Sequence, residues 1–227
     1  MTALPGRSSA AATAPDTVGL LEAMATTPAM RRLRPDPVPL PVLASVVEMA
    51  TMAPSGEDRQ PWRFVVVTDG TLVAELGRLY AGTFEVVEPM VRDLLPPAMH
   101  RSVAHLAAAF GSCPAVIVVG GVDAPPAEAP SVLHATWYGS LFPAVQNVLL
   151  AARAHGLGTT LTTLLVARQD EVRSLLAIPG DVTLVAAVPV GYPEGRFARP
   201  VRRPVAEVAS LDRFTKPLCV SGKGDPT

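Results

Sequence analysis

Two prolines mark the stretch of this sequence that most limits how the chain can fold. Pro54 and Pro61 lie between a helical pattern at residues 42–53 and a β-branched run at 65–67. Each proline fixes its φ angle and lacks an N–H, so neither a helix nor a central strand continues through it. We therefore predict a stiff helix-to-strand loop that presents Ser55, Asp58, Arg59 and Gln60. Taken alone, such a loop is more often an ordinary connection than a binding site.

The composition indicates one globular domain. The chain has 227 residues, 49% of them hydrophobic, which is long enough for a substantial core, yet it has no run of about 18 apolar residues. A net charge of −1 argues against a general nucleic-acid binder. Cys113 and Cys219 lie far apart, and no Cys or His cluster has metal-ligand spacing. We expect a cytoplasmic protein with free thiols and no membrane, nucleic-acid or metal partner.

Periodicity predicts helices and strands throughout a domain at residues 16–214, between two disordered ends. Residues 1–15 lack the apolar core of a secretory signal and are expected to form a disordered leader, and 215–227 a disordered tail. Helical spacing predicts helices at 17–26, 42–53, 69–81, 83–95, 98–110, 131–155 and 167–177. Short β-branched runs predict strands at 62–68, 115–122, 159–165 and 182–190. The helix at 131–155 is apolar nearly all round, which indicates burial within the chain or against a second subunit.

Three arginines, Arg31, Arg32 and Arg34, follow the first predicted helix. A cluster of this kind is usually a solvated face. Its functional alternative is an anion clamp, because a guanidinium presents a planar fork of donors that fits phosphate oxygens. These residues alone leave both interpretations open. The isolated histidines His100 and His105 are more often surface or core residues than catalytic ones.

Four segments, taken together and in order, resemble the FMN-dependent nitroreductase family. The pattern Pro-Ser-Gly-x-x-x-Gln-Pro-Trp-x-Phe at 54–64, followed by a valine strand, looks like that family's flavin-contacting loop. Residues 30–39 look like the end of its N-terminal motif. Residues 156–163 and 188–193, the latter followed by Arg202-Arg203-Pro204, look like its two later motifs. The resemblance covers roughly residues 17–214.

The resemblance implies an α+β, nitroreductase-like fold, with a mixed central sheet flanked by helices, in an intertwined homodimer joined through long central helices. The C-terminal extension would embrace the partner, and one FMN would lie in each of two sites at the interface. The implied activity is NAD(P)H-dependent: a reduced nicotinamide delivers hydride to flavin N5 and leaves. A small-molecule electron acceptor, such as a nitroaromatic, a quinone or a related electrophile, then collects the electrons in ping-pong turnover.

Flavin binding needs cations for the phosphate, polar groups for the edge of the isoalloxazine and apolar walls for its face. Matched to the family, the cations are Arg31, Arg32, Arg202 and Arg203. The polar groups are Ser55, Asp58, Gln60, Thr162 and Thr163, and the apolar walls include Pro54 and Leu161. No side chain is assigned as catalytic, because the cofactor itself carries the chemistry.

Two departures from the family pattern modify this expectation. Thr27, Pro28 and Ala29 replace the usual Arg-Arg-Ser, and Asp58 replaces the usual Asn of the loop. A carboxylate accepts a hydrogen bond from flavin N3–H but cannot donate one, and its charge repels anionic reduced flavin. We expect weaker FMN binding, a shifted redox potential or a specialised reaction. The alternatives are a biosynthetic dehydrogenase or flavin-modifying enzyme of the same fold, or a non-turnover protein that binds flavin or has lost it.

Overall fold

The computed structural model describes residues 18–219. Their helices are α1 (Leu20–Ala25), α2 (Leu40–Ala50), α3 (Gly70–Val91), α4 (Pro97–Ala109), α5 (Ser131–Ala154), α6 (Gln169–Leu176) and α7 (Val205–Val208). Their strands are β1 (Trp62–Val67), β2 (Ala115–Gly121), β3 (Gly158–Thr159) and β4 (Thr183–Gly191). Short 3-10 turns lie at Gly56–Asp58, Arg92–Leu94, Phe110–Ser112 and Leu164–Arg168.

The described strands form one sheet in the order β1-β2-β4-β3, and each neighbouring pair is antiparallel. The predicted α+β class is confirmed, but the sheet of the described residues is antiparallel rather than mixed. The connections explain this, because α3 and α4 return the chain to the end of the sheet where β1 finishes, so that Val67 pairs with Val116. The elements from α5 to α6 likewise return the chain to the end of the sheet where β2 finishes, so that Gly121 pairs with Thr183 of β4.

Strand β2 lies at the centre of the molecule and is buried along its whole length. Ala115, Ile117 and Val119 contribute to the core that includes α2 and α5. Val116 and Val118 contribute to the core that includes α3, α4 and α6. A strand covered on both faces has no polar face to alternate with, which is why it appears in the sequence as a continuous apolar run.

The helices predicted at 69–81 and 83–95 are one continuous helix, α3. Gly82 between them does not break it, because a glycine inside a helix costs only about 1 kcal/mol relative to alanine. Leu79, Tyr80 and Thr83, on either side of Gly82, are all buried and keep one face of α3 in the core. Core packing therefore outweighs the local break that the glycine indicates.

A hydrogen-bonded carboxylate closes the corner between α3 and α4. Glu88 accepts hydrogen bonds from Nε and Nη2 of Arg92, each at 2.6 Å, and His100 Nε2 lies 2.6 Å from the same carboxylate. The Arg92 hydrogen bond, followed by that of His100, lowers the pKa of Glu88 to about 2. The carboxylate is therefore ionised at neutral pH and joins the two helices.

The strand predicted at 159–165 is wrong for most of its length. Only Gly158–Thr159 pairs as a strand with β4, and Thr162 forms an isolated bridge to Ala187. The residues that follow form a 3-10 turn, in which the backbone N–H of Leu164 donates to Thr162 Oγ1 at 3.4 Å. A threonine hydroxyl that bonds the local backbone competes with a strand ladder.

Helix α5 has 24 residues and is about 36 Å long. It packs closely on β2 because Gly121 has no side chain: an added Cβ would lie 2.9 Å from Leu141 Cδ1 and 3.0 Å from Trp137 Cζ2. The helix ends at the predicted glycine C-cap. Gly156 has a φ of +73°, and the N–H of Leu157 reaches back to the carbonyl of Ala152 at 2.8 Å.

After β4 the chain first packs on the core and then leaves it. Phe197 covers the guanidinium of buried Arg153, 3.9 Å from its ring centroid, and Arg153 also donates to Thr26 Oγ1. Residues 201–214, which we call the C-terminal arm, carry the exposed apolar side chains Val201, Val205, Val208, Leu211 and Phe214. Residues 1–17 and 220–227, which include the predicted leader and most of the predicted tail, lie outside the described residues. Within residues 18–219, the helices are too short or too polar to cross a membrane.

Gly77 of α3 provides a test of how closely this helix packs. A Cβ at Gly77 would lie 2.4 Å from the backbone of Gly111, so we predict that Gly77→Ala lowers the free energy of unfolding by about 1–3 kcal/mol through overpacking. Gly82→Ala, with nothing within 4 Å of the added carbon, should raise it by up to about 1 kcal/mol. Urea unfolding followed by circular dichroism measures both values. Equal effects of the two substitutions would contradict the close contact.

Candidate functional site

The proline-braced loop at 54–61 has a strained backbone. Glu57, Asp58 and Gln60 have φ angles of 55°, 53° and 49°, in a region that residues other than glycine seldom adopt. Ser55 Oγ accepts a hydrogen bond from the backbone N–H of Gln60 at 3.1 Å and closes the loop on itself. Such strain persists only where the surrounding structure determines the conformation. The loop is thus held in one shape, in agreement with the stiffness predicted from its prolines.

The two acidic side chains of the loop differ in their partners. Arg59 Nη2 lies 2.7 Å from Glu57 Oε2, which balances the charge of Glu57. Gln60 Nε2 donates to Asp58 Oδ1 at 2.9 Å, but this amide is neutral. Asp58 is exposed and makes no ion pair among residues 18–219, so its negative charge is uncompensated.

Helix α5 packs against the loop at Gly56. The backbone N–H of Gly56 donates to Ser140 Oγ at 3.0 Å, and a Cβ at Gly56 would lie 2.6 Å from Thr136 Cγ2. Only glycine permits this approach. Beside the contact lies a cavity of about 310 Å³, whose walls include Leu133, Trp137 and residues 123–126.

A second group of predicted site residues lies beside β3. The N–H of Met30 donates to Thr159 O at 2.8 Å, and Thr160 Oγ1 donates to Met30 O at 2.8 Å. These bonds place the partly buried Arg31 near Tyr80 of α3. Burial lowers the pKa of Arg31. In the part of the chain that the structure describes, its guanidinium makes neither a hydrogen bond nor an ion pair.

Tyr80 and Thr162 place two hydroxyl groups near Arg31. Thr162 Oγ1 donates to Tyr80 Oη at 3.2 Å, and the Tyr80 ring stacks on Phe110 with the centroids 4.3 Å apart. Burial raises the pKa of Tyr80, so its hydroxyl is neutral and a potential donor at physiological pH. Leu161 and Thr163, the neighbours of Thr162, are exposed beside this group.

Arg32 and Arg34 differ in their surroundings. Arg32 Nη1 lies 3.2 Å from Nδ1 and 3.4 Å from Nε2 of His105 on α4. Arg34 instead pairs with Asp36 at 3.4 Å and lies over the ring of Tyr192, 5.3 Å from its centroid. The cluster is therefore neither a uniform solvated face nor a single clamp, because only Arg34 has a carboxylate partner among the described residues.

Within one chain, the loop and the segment that leads to Arg31 contact α5 at two well-separated positions. The loop contacts α5 at Ser140, whereas the segment that leads to Arg31 contacts it at Arg153, through Thr26. Ser140 and Arg153 are thirteen residues apart, which is about 20 Å along a helix. The two groups of predicted site residues are therefore separate in a single chain.

The predicted site residues fall into three sets. The first lies near β3 and consists of Arg31, Arg32, Leu161, Thr162 and Thr163. The second is in the loop and consists of Pro54, Ser55, Asp58 and Gln60. The third is Arg202 and Arg203 on the exposed arm, where Arg202 donates only to the neighbouring carbonyl of Val201. Neither arginine bonds to the other two sets among residues 18–219.

Sequence analysis missed Tyr80 and Ser140 and gave His105 little weight. Tyr80 lies on the apolar stripe of a helix, where an aromatic residue normally indicates core packing. Ser140 is a small polar residue in a long apolar helix, and its role depends on the approach of Gly56 from 84 residues away. Their sequence signals are weak because only tertiary structure brings each of them to a partner.

The donor set near β3 fits the cofactor that the sequence predicts. A partly buried guanidinium without a carboxylate attracts an anionic group. The hydroxyls of Thr162 and Tyr80 suit the carbonyl oxygens and ring nitrogens of a flavin edge, since a hydroxyl both donates and accepts. The loop offers the complementary acceptors, Asp58 and the side-chain carbonyl of Gln60.

Comparisons with known proteins identify relatives of this chain. The family model described as Nitroreductase family matches residues 26–192. The NADH dehydrogenase of Thermus thermophilus is 29% identical over 177 residues, which cover 72% of this chain and 82% of that protein. The 5,6-dimethylbenzimidazole synthase of Rhodospirillum rubrum is 29% identical over 168 residues, which cover 72% of this chain and 77% of that protein.

A solved structure confirms the predicted nitroreductase-like fold. An oxidised iodotyrosine deiodinase bound to FMN and 3-iodo-L-tyrosine superposes with a TM-score of 0.65 and 23% identity, covering 86% of this chain and 98% of that chain. At this identity the likeness concerns the fold alone. The family model extends over most of the described residues and includes both Arg31 and the proline-braced loop, and this chain therefore belongs to the Nitroreductase family.

Proposed function

We propose that this chain is an FMN-dependent oxidoreductase that uses NAD(P)H to reduce a nitroaromatic, a quinone or a related electrophile. Membership of the Nitroreductase family and the similarity to an NADH dehydrogenase support an oxidoreductase. The deiodinase structure of the same fold, which contains FMN, supports the cofactor. A cytoplasmic location stays a prediction from the sequence.

The observation that carries this proposal is the environment of Arg31. A guanidinium withdrawn from water is unfavourable unless an anion balances it, and the described residues supply none to Arg31. Several other arginines of the described chain do have carboxylate partners, as at Arg59, Arg78, Arg92 and Arg168. A bound anionic cofactor would supply the negative charge that Arg31 lacks. The hydroxyls of Thr162 and Tyr80 lie beside Arg31, where they could bind the polar edge of a flavin.

The protein residues bind and orient the cofactor. When bound, FMN would accept hydride at N5 from the nicotinamide and pass the electrons to the acceptor in ping-pong turnover. Arg31 keeps a positive charge at the polar edge, which favours negative charge there. Ser55 and Gln60, fixed by their hydrogen bond, hold the loop in position, and the exposed Pro54 and Leu161 provide apolar contacts.

A homodimer is part of this proposal, because one flavin reaches both Arg31 and the loop only if they come from two chains. We infer that two α5 helices pack antiparallel about a twofold axis, so that the Ser140 end of one lies near the Arg153 end of the other. Exposed apolar side chains on α5 support this contact: Val132, Leu133, Tyr138 and Phe142. The C-terminal arm would lie on the partner and carry Arg202 and Arg203 toward its site.

A second candidate is a specialised protein of the same family. It is a biosynthetic dehydrogenase or flavin-modifying enzyme, or a non-turnover flavin-binding or cofactor-lost protein. Asp58 favours it, because an uncompensated carboxylate opposes negative charge on reduced flavin, and the similarity to a 5,6-dimethylbenzimidazole synthase adds support. Steady-state oxidation of NADPH with a nitroaromatic favours the first candidate. Bleaching of bound flavin under oxygen, without an acceptor, favours a flavin-modifying enzyme.

Arg31→Gln tests the main proposal. FMN binding should weaken by about tenfold or more, because a hydrogen bond to a charged group contributes about 1.5–3 kcal/mol. Titration with FMN, followed by quenching of flavin fluorescence, gives the Kd. Arg78→Gln is the matched control, since Arg78 pairs with Glu75 on the surface of α3, and it should bind like the wild type. A wild-type protein that binds no FMN even at high micromolar concentration would refute the proposed function.

Asp58→Asn should raise the reduction potential of bound FMN by about 30–60 mV, because it removes a negative charge near the flavin, and 30 mV corresponds to about 1.4 kcal/mol for two electrons. It should also tighten FMN binding. Glu57→Gln is the control and should change the potential little, since Arg59 already balances Glu57. Potentiometric titration of the three proteins gives the comparison. An unchanged potential in Asp58→Asn would place Asp58 away from the flavin.

Substitution of the C-terminal arm tests the dimer. We expect the wild type to sediment at twice the chain mass of 23.7 kDa. The double variant Val205→Asp and Val208→Asp places charges on exposed apolar positions of α7 and should yield monomer with impaired FMN binding. Val86→Asp, equally exposed at 65% but on α3, should stay dimeric. Analytical ultracentrifugation measures the mass of each protein. A wild type that is monomeric at all concentrations would contradict the shared site.

A further inference from the structure

The residues just before Met30 offer little to an anion. The Thr27 hydroxyl donates to Ala23 O at 2.5 Å, Pro28 has no N–H, and Ala29 has no polar side chain. A phosphate bound on this side of the molecule must therefore find its donors further along the segment or on the helices that face it.

Arg32 and His105 are donors that the fold brings together at this place. Arg32 Nη1 lies 3.2 Å from Nδ1 and 3.4 Å from Nε2 of His105. Both contacts involve Nη1, so they occupy only one of the three guanidinium nitrogens. Within residues 18–219 the other nitrogens of Arg32 have no hydrogen-bond partner. Arg32 is exposed and His105 is half-buried, which leaves the pair open to a ligand.

The charge around this pair is mainly positive. The charged and titratable groups near the pair are Arg31, Arg34 and Asp36 on the N-terminal segment, Tyr80 on α3, His100 and Arg101 on α4, and Glu194. The backbone N–H of Glu194 donates to Arg32 O at 3.1 Å, but the Glu194 carboxylate makes no ion pair with Arg32 in the described chain. An anion at this place meets guanidinium and imidazole groups that no carboxylate already occupies.

We propose that Arg32 and His105 form a recognition site for a phosphate monoester. The guanidinium fork fits two phosphate oxygens, and an imidazole N–H donates to a third. Two phosphates share this chemistry, the terminal phosphate of FMN and the 2′-phosphate of NADPH. The choice between them rests on the proposed function, whereas the phosphate site itself does not.

Inorganic phosphate tests the site without flavin or turnover. The chain has four histidines, so the ring C–H signals in a proton NMR spectrum are few, and that of His105 is identified by its loss in His105→Gln. Phosphate at pH 6.0 should shift this signal saturably, with a Kd that rises about tenfold in Arg32→Gln. Arg101→Gln removes a neighbouring cation without touching the pair and should stay within about twofold. Equal losses in the two arginine variants would indicate general charge attraction and overturn the site.

Two ligand pairs distinguish the sources of the phosphate. If the site binds the FMN phosphate, Arg32→Gln weakens FMN binding about tenfold and leaves riboflavin binding unchanged. His105→Gln then also weakens FMN binding and leaves riboflavin binding unchanged. If the site binds NADPH, the Kd of FMN is unchanged in both variants, and the KM for NADPH rises while that for NADH does not.

The two proposals fail in different ways. If both variants bind FMN and oxidise NADPH like the wild type, and phosphate does not shift the His105 signal, the phosphate site is wrong and the proposed function stands. If phosphate shifts the His105 signal and Arg32→Gln weakens that effect, while the wild type binds no FMN, the site stands and the proposed function is wrong.

Discussion

The packing of α5 against β2 determines where every other part of the site lies. The contact is close because Gly121 leaves room for Trp137 and Leu141, and it fixes the helix along the sheet. The loop is then bound to one part of α5 through Ser140, and the N-terminal segment to another through Arg153. A helix is too rigid to bring two such points together. The separation of Arg31 and the loop is thus a property of the core, and the proposed dimer is what would bring them together.

Two arginines with structural roles in this chain have carboxylate partners. Arg92 joins Glu88 at the corner of α3 and α4, and Arg59 balances Glu57 in the loop. Arg31 and Arg32 have no carboxylate partner in the described residues. Burial lowers the pKa of Arg31, because it disfavours the charged guanidinium. Structure alone gives no reason to keep an unbalanced guanidinium away from water. A bound anionic ligand would supply the missing negative charge. The proposed function therefore rests on these arginines rather than on the cavity beside the loop.

Much of the fold could be predicted from the sequence, because its core elements have strong local signals. The apolar run of β2 and the glycine after α5 led to correct elements. The strand expected at 159–165 failed, because threonine favours strands by propensity but forms turns when its hydroxyl finds a backbone donor, as Thr162 does with Leu164. The antiparallel sheet could not be told from a mixed one, since strand direction depends on long-range pairing. In the site, motif spacing led to Arg31 and the loop, but Tyr80 becomes recognisable only once α3 is packed.

The proposed phosphate site joins the N-terminal segment to α4, because Thr27, Pro28 and Ala29 offer few donors in place of the usual Arg-Arg-Ser. When the donors come from the N-terminal segment, the helices opposite need not respond to the anion. Here the donor that faces Arg32 is His105, on α4, and the start of the same helix is tied to α3 through His100 and Glu88. An anion that draws in His105 therefore acts on the whole α3–α4 pair. The proposed phosphate site therefore adjoins the corner that Glu88, Arg92 and His100 hold between α3 and α4.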